Sequence, residues 1–210
     1  MYKLYFSAGS CSLSPHIALT EVGAKYELVK VTMKDGKKSI PEGDFFKINP
    51  KGQVPTLQTE DGKILTEGAA IVQYIADKSP EKNLLPKAGT WERTKANEWL
   101  NYIATEIHKG LGGFFGIDRM VANKEGNAEW REAAKTAMGK KYDYLTEHLS
   151  ANKFLLGNEF SAADAYLFTV LNWNVHVGID LVKWPKLMGY METVKSRPGV
   201  QTAMKAEGLI

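Results

Sequence analysis

One stretch divides the chain into two regimes. Before Asn83-Leu84-Leu85-Pro86-Lys87-Ala88-Gly89-Thr90 the apolar pattern alternates between short strand-type runs and helices, and beyond it almost every periodicity is helical. The stretch itself carries proline and glycine and neither period, so it reads as a linker. An α/β unit over 1–80, a linker over 81–89 and an all-helical unit over 90–210 are expected.

Within the first unit, Tyr2-Lys3-Leu4-Tyr5-Phe6 is strand-type, Ile17 to Glu21 reads as helix ending near Gly23, and Tyr26 to Val31 alternates as a strand. Strand, helix, strand is a βαβ unit with parallel strands. A polar segment holding Lys34 to Lys38, Pro41 and Asp44 reads as a loop over the site, and Phe45 to Pro50 as a short helical turn. Gln53 to Thr59 and Lys63 to Glu67 are strand-like runs around Glu60-Asp61-Gly62, where Asp-Gly signals a hairpin. Pro55 belongs at a strand start or edge, and its peptide bond is a candidate for the cis form. Gly68 to Lys78 is an apolar helix closed before Pro80, which completes the order βαβ-ββα.

The single cysteine, Cys11, falls in the turn between the first strand and the first helix. Unpaired backbone N–H groups and the positive end of the helix dipole there favour a thiolate. A free cysteine is equally a small buried hydrophobe, and position alone leaves both readings open. One cysteine forms no internal disulfide, and neither a signal-peptide pattern nor a long apolar segment is present, so a reducing, cytoplasmic home and no membrane are expected. The charge of +3 comes from 27 basic and 24 acidic residues spread along the chain, which argues against a nucleic-acid partner. No metal is expected.

In the second unit, a helix from about Trp91 to Phe115 places Leu100, Ile103, Ile107, Leu111 and Phe114 on one apolar stripe. Asn101, Thr105, His108 and Gly112, spaced by four, three and four, form a second row roughly 110° round the same α-helix. That polar row beside the core stripe looks like a wall facing something other than solvent. Gly112, Gly113 and Gly116 permit a bend or the close approach of another body. A second helix runs from about Asn127 to Ser150, with Trp130, Ala134, Ala137, Met138, Leu145 and Leu149 apolar. Ser161-Ala162-Ala163-Asp164 has the spacing of a capping box, which gives Asp164 a structural role at the start of a helix buried nearly all round. Trp184-Pro185 opens another helix, which Arg197-Pro198-Gly199 stops, and Val200 to Gly208 forms one more.

A βαβ-ββα unit with a cysteine after its first strand and Val-Pro before its third resembles the thioredoxin fold, with Ser14 where a Cys-x-x-Cys motif has its second cysteine. With the helical unit attached, the whole chain resembles a cytosolic glutathione transferase of the bacterial beta class. The resemblance is carried by Cys11-Ser12-Leu13-Ser14-Pro15-His16, Asn49-Pro50-Lys51-Gly52-Gln53-Val54-Pro55, Thr66-Glu67, Glu106-Ile107-His108-Lys109, Ser161-Ala162-Ala163-Asp164 and Arg197-Pro198.

The resemblance implies an enzyme with glutathione as co-substrate, a hydrophobic electrophile bound between the units near Phe114 and Phe115, and a homodimer. It places Cys11 beside the glutathione sulfur, where a mixed disulfide can form. It gives Val54 the peptide backbone of glutathione, Glu67 the amino group of the γ-glutamyl end, and the N–H groups of the following helix start its carboxylate. His108 and Lys109 reach the site from the second unit with Asn101 and Thr105 as companions, and Ser12, Gln53 and Lys37 complete the binding set. His16 orients the first turn and Tyr5 belongs to the core. The residue after the glutamate is commonly serine in this family. Here it is Gly68, which removes a hydroxyl contact and predicts weaker glutathione binding. Glutathione-dependent disulfide reduction and ligand binding without turnover remain alternative activities for the same pattern.

Overall fold

The computed structural model describes residues 1–210. Strands β1 (Tyr2–Phe6), β2 (Tyr26–Lys30), β6 (Thr56–Gln58) and β7 (Ile64–Thr66) form one sheet in the order β2-β1-β6-β7. β1 and β2 run parallel around helix α1 (Leu13–Val22), while β6 is antiparallel to both β1 and β7. The β6–β7 connection is the hairpin predicted at Asp61-Gly62, and the Val54–Pro55 peptide bond is cis. Helix α2 (Gly68–Lys78) closes the thioredoxin-like arrangement.

Alternation along β1 decides what lies on each face of the sheet. Leu4 and Phe6 point into the main core with α1 and α2, while Tyr5 points the other way, among Val29, Val31, Ile40 and Phe45. Its hydroxyl bonds Gln58 Oε1 at 3.2 Å, so Tyr5 is a core strand residue.

The segment read as a loop over the site is folded. β3 (Thr32–Lys34), β4 (Lys37–Ile40) and β5 (Gly43–Asp44) make a second, antiparallel sheet. Its turn is Asp35-Gly36, with both residues at positive φ (50° and 75°), the geometry a tight two-residue hairpin requires.

The remaining helices are α3 (Trp91–Tyr102), α4 (Lys109–Met120), α5 (Lys124–Ala151), α6 (Ala162–Leu171), α7 (Asn174–Val177), α8 (Pro185–Lys195) and α9 (Pro198–Glu207). Between α3 and α4 the chain stays helical, but Ile103–His108 is a π-helix. The predicted apolar stripe from Leu100 to Phe114 is buried throughout. On α5, Met138, Leu145 and Leu149 are buried as expected, Ala137 is exposed, and Tyr142, not anticipated, is buried with its hydroxyl on Asn174 Oδ1 at 2.6 Å. A Cβ at Gly113 would lie 2.9 Å from the Trp130 ring, so glycine there lets α5 approach α4.

Helix α6 is buried along its whole length. Asp164 caps it, accepting hydrogen bonds from the Ser161 N–H at 2.9 Å, the Ser161 hydroxyl at 2.6 Å, the Leu155 N–H at 2.9 Å and the Tyr190 hydroxyl at 3.0 Å. The two units share one hydrophobic core, because α1 packs against α2 on one side and against α6 and α9 on the other. Arg197 pairs with Glu21 across that boundary at 2.6 Å and lies over the Phe160 ring. No helix is long and apolar enough to cross a membrane.

Candidate active site

A cleft of about 380 Å³ opens where the units meet. The first unit supplies Cys11, Gln53, Val54, Pro55, Glu67 and Gly68, and the second supplies Ala104, His108, Lys109 and Tyr166. Its cations are Lys38, Lys51 and Lys109.

Cys11 is held in place from several directions. Ser12 is fully buried below it, where its hydroxyl accepts the Ser7 N–H and contacts Ser10 Oγ at 2.8 Å. The second unit clamps Gly9 from both sides: Glu207 accepts its N–H at 2.9 Å and the Trp173 indole donates to its carbonyl at 2.9 Å. Buried His16 links that carboxylate at 2.8 Å to the Tyr26 hydroxyl at 3.1 Å, so it does orient the turn, through α9. The Cys11 thiol is 3.2 Å from the Val54 carbonyl, to which it donates.

Of the two readings left open by its position, the thiolate does not follow from this geometry. Burial pushes the Cys11 thiol up to about 11, outweighing the backbone hydrogen bond and the nearby Lys38 charge, which both act to lower it. Cys11 therefore carries its proton at neutral pH and acts as a donor.

Val54 lies in the turn that leads into the interior strand β6, beside Pro55, and its N–H has no partner within the protein. Glu67, at a positive φ of 71°, precedes α2 and pairs with Lys51, whose ammonium also donates to the Thr66 hydroxyl at 3.0 Å. At Gly68 a Cβ would lie 3.6 Å from Pro55 and 3.9 Å from the Ser14 hydroxyl, ordinary contact distances. Nothing in the packing demands glycine there.

Across the cleft, His108 Nδ1 and the Tyr166 hydroxyl are 2.6 Å apart, and the imidazole stands edge-on to Trp173. Burial foremost, then the Lys109 charge, lowers the His108 pKa, so the ring is neutral at pH 7. Burial raises the Tyr166 hydroxyl far out of the physiological range. The hydrogen bond between them thus joins two neutral groups, and His108 Nε2 has no protein partner.

Family models for the glutathione S-transferase N-terminal domain and C-terminal domain match residues 2–77 and 102–198. The chain is 42% identical to glutathione S-transferase GstA of Escherichia coli O157:H7, over 99% of both chains. It belongs to the glutathione S-transferase family. Solved relatives include a beta-class transferase from Sphingomonas chungbukensis, at 41% identity and a TM-score of 0.89 over 99% of this chain and 100% of that one. A sphingomonad transferase complexed with glutathione matches at 38% identity, with the same TM-score and coverage. Glutathione is the co-substrate of this family, and the bacterial beta class is the branch this transferase resembles.

Not every residue predicted for the site of this transferase reaches the cleft. Ser12 lies beneath it. Lys37 is exposed on β4, and its neighbour Lys38 lines the cleft instead, donating to the Gly52 carbonyl at 2.6 Å. Adjacent strand residues face opposite sides, so one step along β4 decides between them. Asn101 and Thr105 are exposed and bond back to their own helix, to the Asn97 carbonyl at 2.8 Å and the Asn101 carbonyl at 3.0 Å. The predicted row assumed an uninterrupted α-helix, and the wider π turn over Ile103–His108 shifts its phase, bringing Ala104, His108 and Lys109 to the cleft. Sequence reasoning missed Lys38, Lys51, Asn49, Ala104 and Tyr166. The Asp35-Gly36 pair would have revealed the hairpin that carries Lys38, whereas Tyr166 gave no signal within its uniformly apolar helix. Phe115 stands half-exposed, edge-on to Trp173, and Phe114 is buried against Trp130; neither lines the cleft.

Proposed function

We propose that this transferase joins the glutathione sulfur to hydrophobic electrophiles, with the tripeptide held on unit 1–80 and the second reactant against unit 90–210 across the linker 81–89. What carries this reading is the convergence in one cleft of an unpartnered backbone N–H at Val54, the Glu67–Lys51 pair, and two groups at Cys11 and His108 able to donate to sulfur. Glutathione lies extended along Val54, exchanging backbone hydrogen bonds as an added strand would. Glu67 receives its ammonium, the N–H groups at the start of α2 its adjacent carboxylate, and Lys38 the carboxylate at the other end, with Gln53 alongside.

The glutathione thiol loses its proton to solvent, and the resulting thiolate accepts hydrogen bonds from His108 Nε2–H and from Cys11 Sγ–H, which turns from the Val54 carbonyl to the sulfur. With Tyr166 donating to Nδ1, the imidazole proton resides on Nε2, the tautomer this requires. Lys38 and Lys109 add positive potential, which favours the thiolate further. The sulfur then forms a bond to the electrophilic carbon, displacing a leaving group or adding across an activated double bond. Lowering the thiol pKa and holding both reactants together supply the rate enhancement. The exposed edge of Phe115 is the apolar contact for the electrophile.

Cys11→Ala and His108→Asn test the assignment. Oxidised glutathione should place one glutathione on the unaltered chain, Cys11 taking one sulfur as a mixed disulfide and one glutathione leaving as thiol, read by intact mass, while in Cys11→Ala conjugation persists through His108; no adduct on the unaltered chain refutes the placement of Cys11 beside the glutathione sulfur. Tight glutathione capture with no turnover across many electrophiles would instead establish a binding protein, and disulfide reduction exceeding conjugation would establish a reductase. The reading also includes a homodimer in the bacterial cytoplasm, and a monomer by light scattering refutes the dimer.

A further inference from the structure

The π-helical segment needs a cause. Such a turn packs less well than an α turn and persists where outside contacts hold it. Its side facing the cleft holds Ala104 and His108, whereas on its far side stands Lys141 of α5, half-buried, which does not line the cleft. The Lys141 ammonium donates to the Glu106 backbone carbonyl at 2.9 Å and pairs with the Glu106 carboxylate at 2.8 Å. That carbonyl lies at the end of the π segment, where it also accepts the Lys109 N–H over a tight three-residue span. Both atoms gripped by Lys141 thus belong to the residue two before His108.

The neighbouring glycine assists the grip. A Cβ at Gly110 would stand 2.5 Å from Met138 Sδ and 3.8 Å from Lys141 Nζ, so the bare backbone there lets α5 come this close without displacing Met138. The displaced row reports what the π turn accomplishes. With α-helical spacing, Asn101, Thr105 and His108 share one face; in the structure His108 lines the cleft with Ala104 and Lys109, while Asn101 and Thr105 are exposed.

We infer that Lys141 is a positioning residue for the transfer reaction: by gripping the Glu106 carbonyl and carboxylate it keeps this wall in π-helical register and so aims His108 and Lys109 into the cleft. The inference rests on the reading that His108 faces the glutathione sulfur. Groups facing the imidazole are Lys109 on its own helix, Tyr166 and Trp173 from the α6–α7 region, and Cys11 and Glu67 from the first unit. Lys141 is not among them, so any effect it has on His108 passes through the backbone.

The test compares Lys141→Met, Lys141→Arg and Glu106→Gln with the unaltered chain, reading kcat, the KM for glutathione, thermal stability and the His108 titration by NMR. Lys141→Met is expected to lower kcat about tenfold, the scale of a modest misplacement of a reacting group, with a smaller change in KM. Its His108 pKa should move up toward the ordinary value as the ring leaves its buried seat. Lys141→Arg should restore most of the loss, and Glu106→Gln should move both readouts in the same direction by less. Unchanged kcat and His108 titration in Lys141→Met overturn the inference, and so does a fall in thermal stability alone. If Lys141→Met fails to fold, Glu106→Gln decides, and an unmoved His108 titration there overturns it. His108→Asn separates the two levels: wild-type kcat in that variant sinks the functional reading of His108, while the titration still tests Lys141.

Discussion

The two walls of the cleft are built differently. The first unit presents exposed backbone as well as side chains, with Val54 in a turn beside a cis proline, Glu67 at a positive φ and the α2 start at Gly68. The helical unit presents side chains alone, His108, Lys109 and Tyr166, whose direction depends on helical phase. A backbone wall is specified by local signals within a few residues, and a side-chain wall by every residue counted from the start of its helix. One shift of phase replaces a whole row.

The largest effect is expected behind the helical wall. Asp164 satisfies four buried donors at the start of α6, the helix that carries Tyr166. Asp164→Ala strands those donors and should cost about 3 kcal/mol, read as a lower urea midpoint. A loss under about 1 kcal/mol would mean that water replaces the carboxylate there and the helical wall is less dependent on this cap than its burial implies.

On the opposite wall the expected effect is kinetic. With the Cys11 thiol held at about 11, the thiolate fraction at pH 8 is roughly a hundredfold or more below that of a free cysteine, and alkylation by iodoacetamide should be slowed by at least that factor. Burial raises this pKa, so the rate should climb about tenfold per pH unit up to the region of pH 11 rather than levelling off near 8.5. Rapid alkylation at pH 7 would restore the low-pKa reading that the helix-dipole argument gave.

What the sequence made legible divides along the same line. The parallel βαβ unit, the Asp61-Gly62 hairpin, the proline at 55 and the capping box at Ser161 and Asp164 each rest on neighbours within a few positions, and the structure has them all. Lys38, and not Lys37, lines the cleft because of the hairpin turn at Asp35-Gly36, whose signal is as local as that of Asp61-Gly62. Asn101 and Thr105 fall outside the cleft for a deeper reason: nothing in residues 103–108 announces a π turn, since its support lies on α5 at Lys141, 35 positions from Glu106. The Cys11 pKa was likewise out of reach, because burial by the assembled units, and not the local turn, dominates it.

Strand register gives a sharper contrast. Lys38→Met should raise the KM for glutathione about tenfold, the worth of one charge-assisted contact, while Lys37→Met changes it by less than about twofold. Equal effects from the two would mean that general positive potential, and not the side of β4 a lysine occupies, governs binding.

Gly68 tests the smallest element of the backbone wall. The α2 start offers N–H groups to a carboxylate, and a side-chain hydroxyl at this position would add one more donor. The space is there: the new Cβ would meet only Pro55 at 3.6 Å and the Ser14 hydroxyl at 3.9 Å, and the backbone of Gly68 is not left-handed. Gly68→Ser should therefore tighten glutathione about fivefold by calorimetry, corresponding to one added hydrogen bond of about 1 kcal/mol. It should leave kcat nearly unchanged, because a contact made equally in ground state and transition state moves KM alone. Weaker binding by Gly68→Ser would mean that the ligand's carboxylate occupies the space of the missing side chain, and that the first wall is shaped by close approach of the ligand to the backbone rather than by the number of donors it offers.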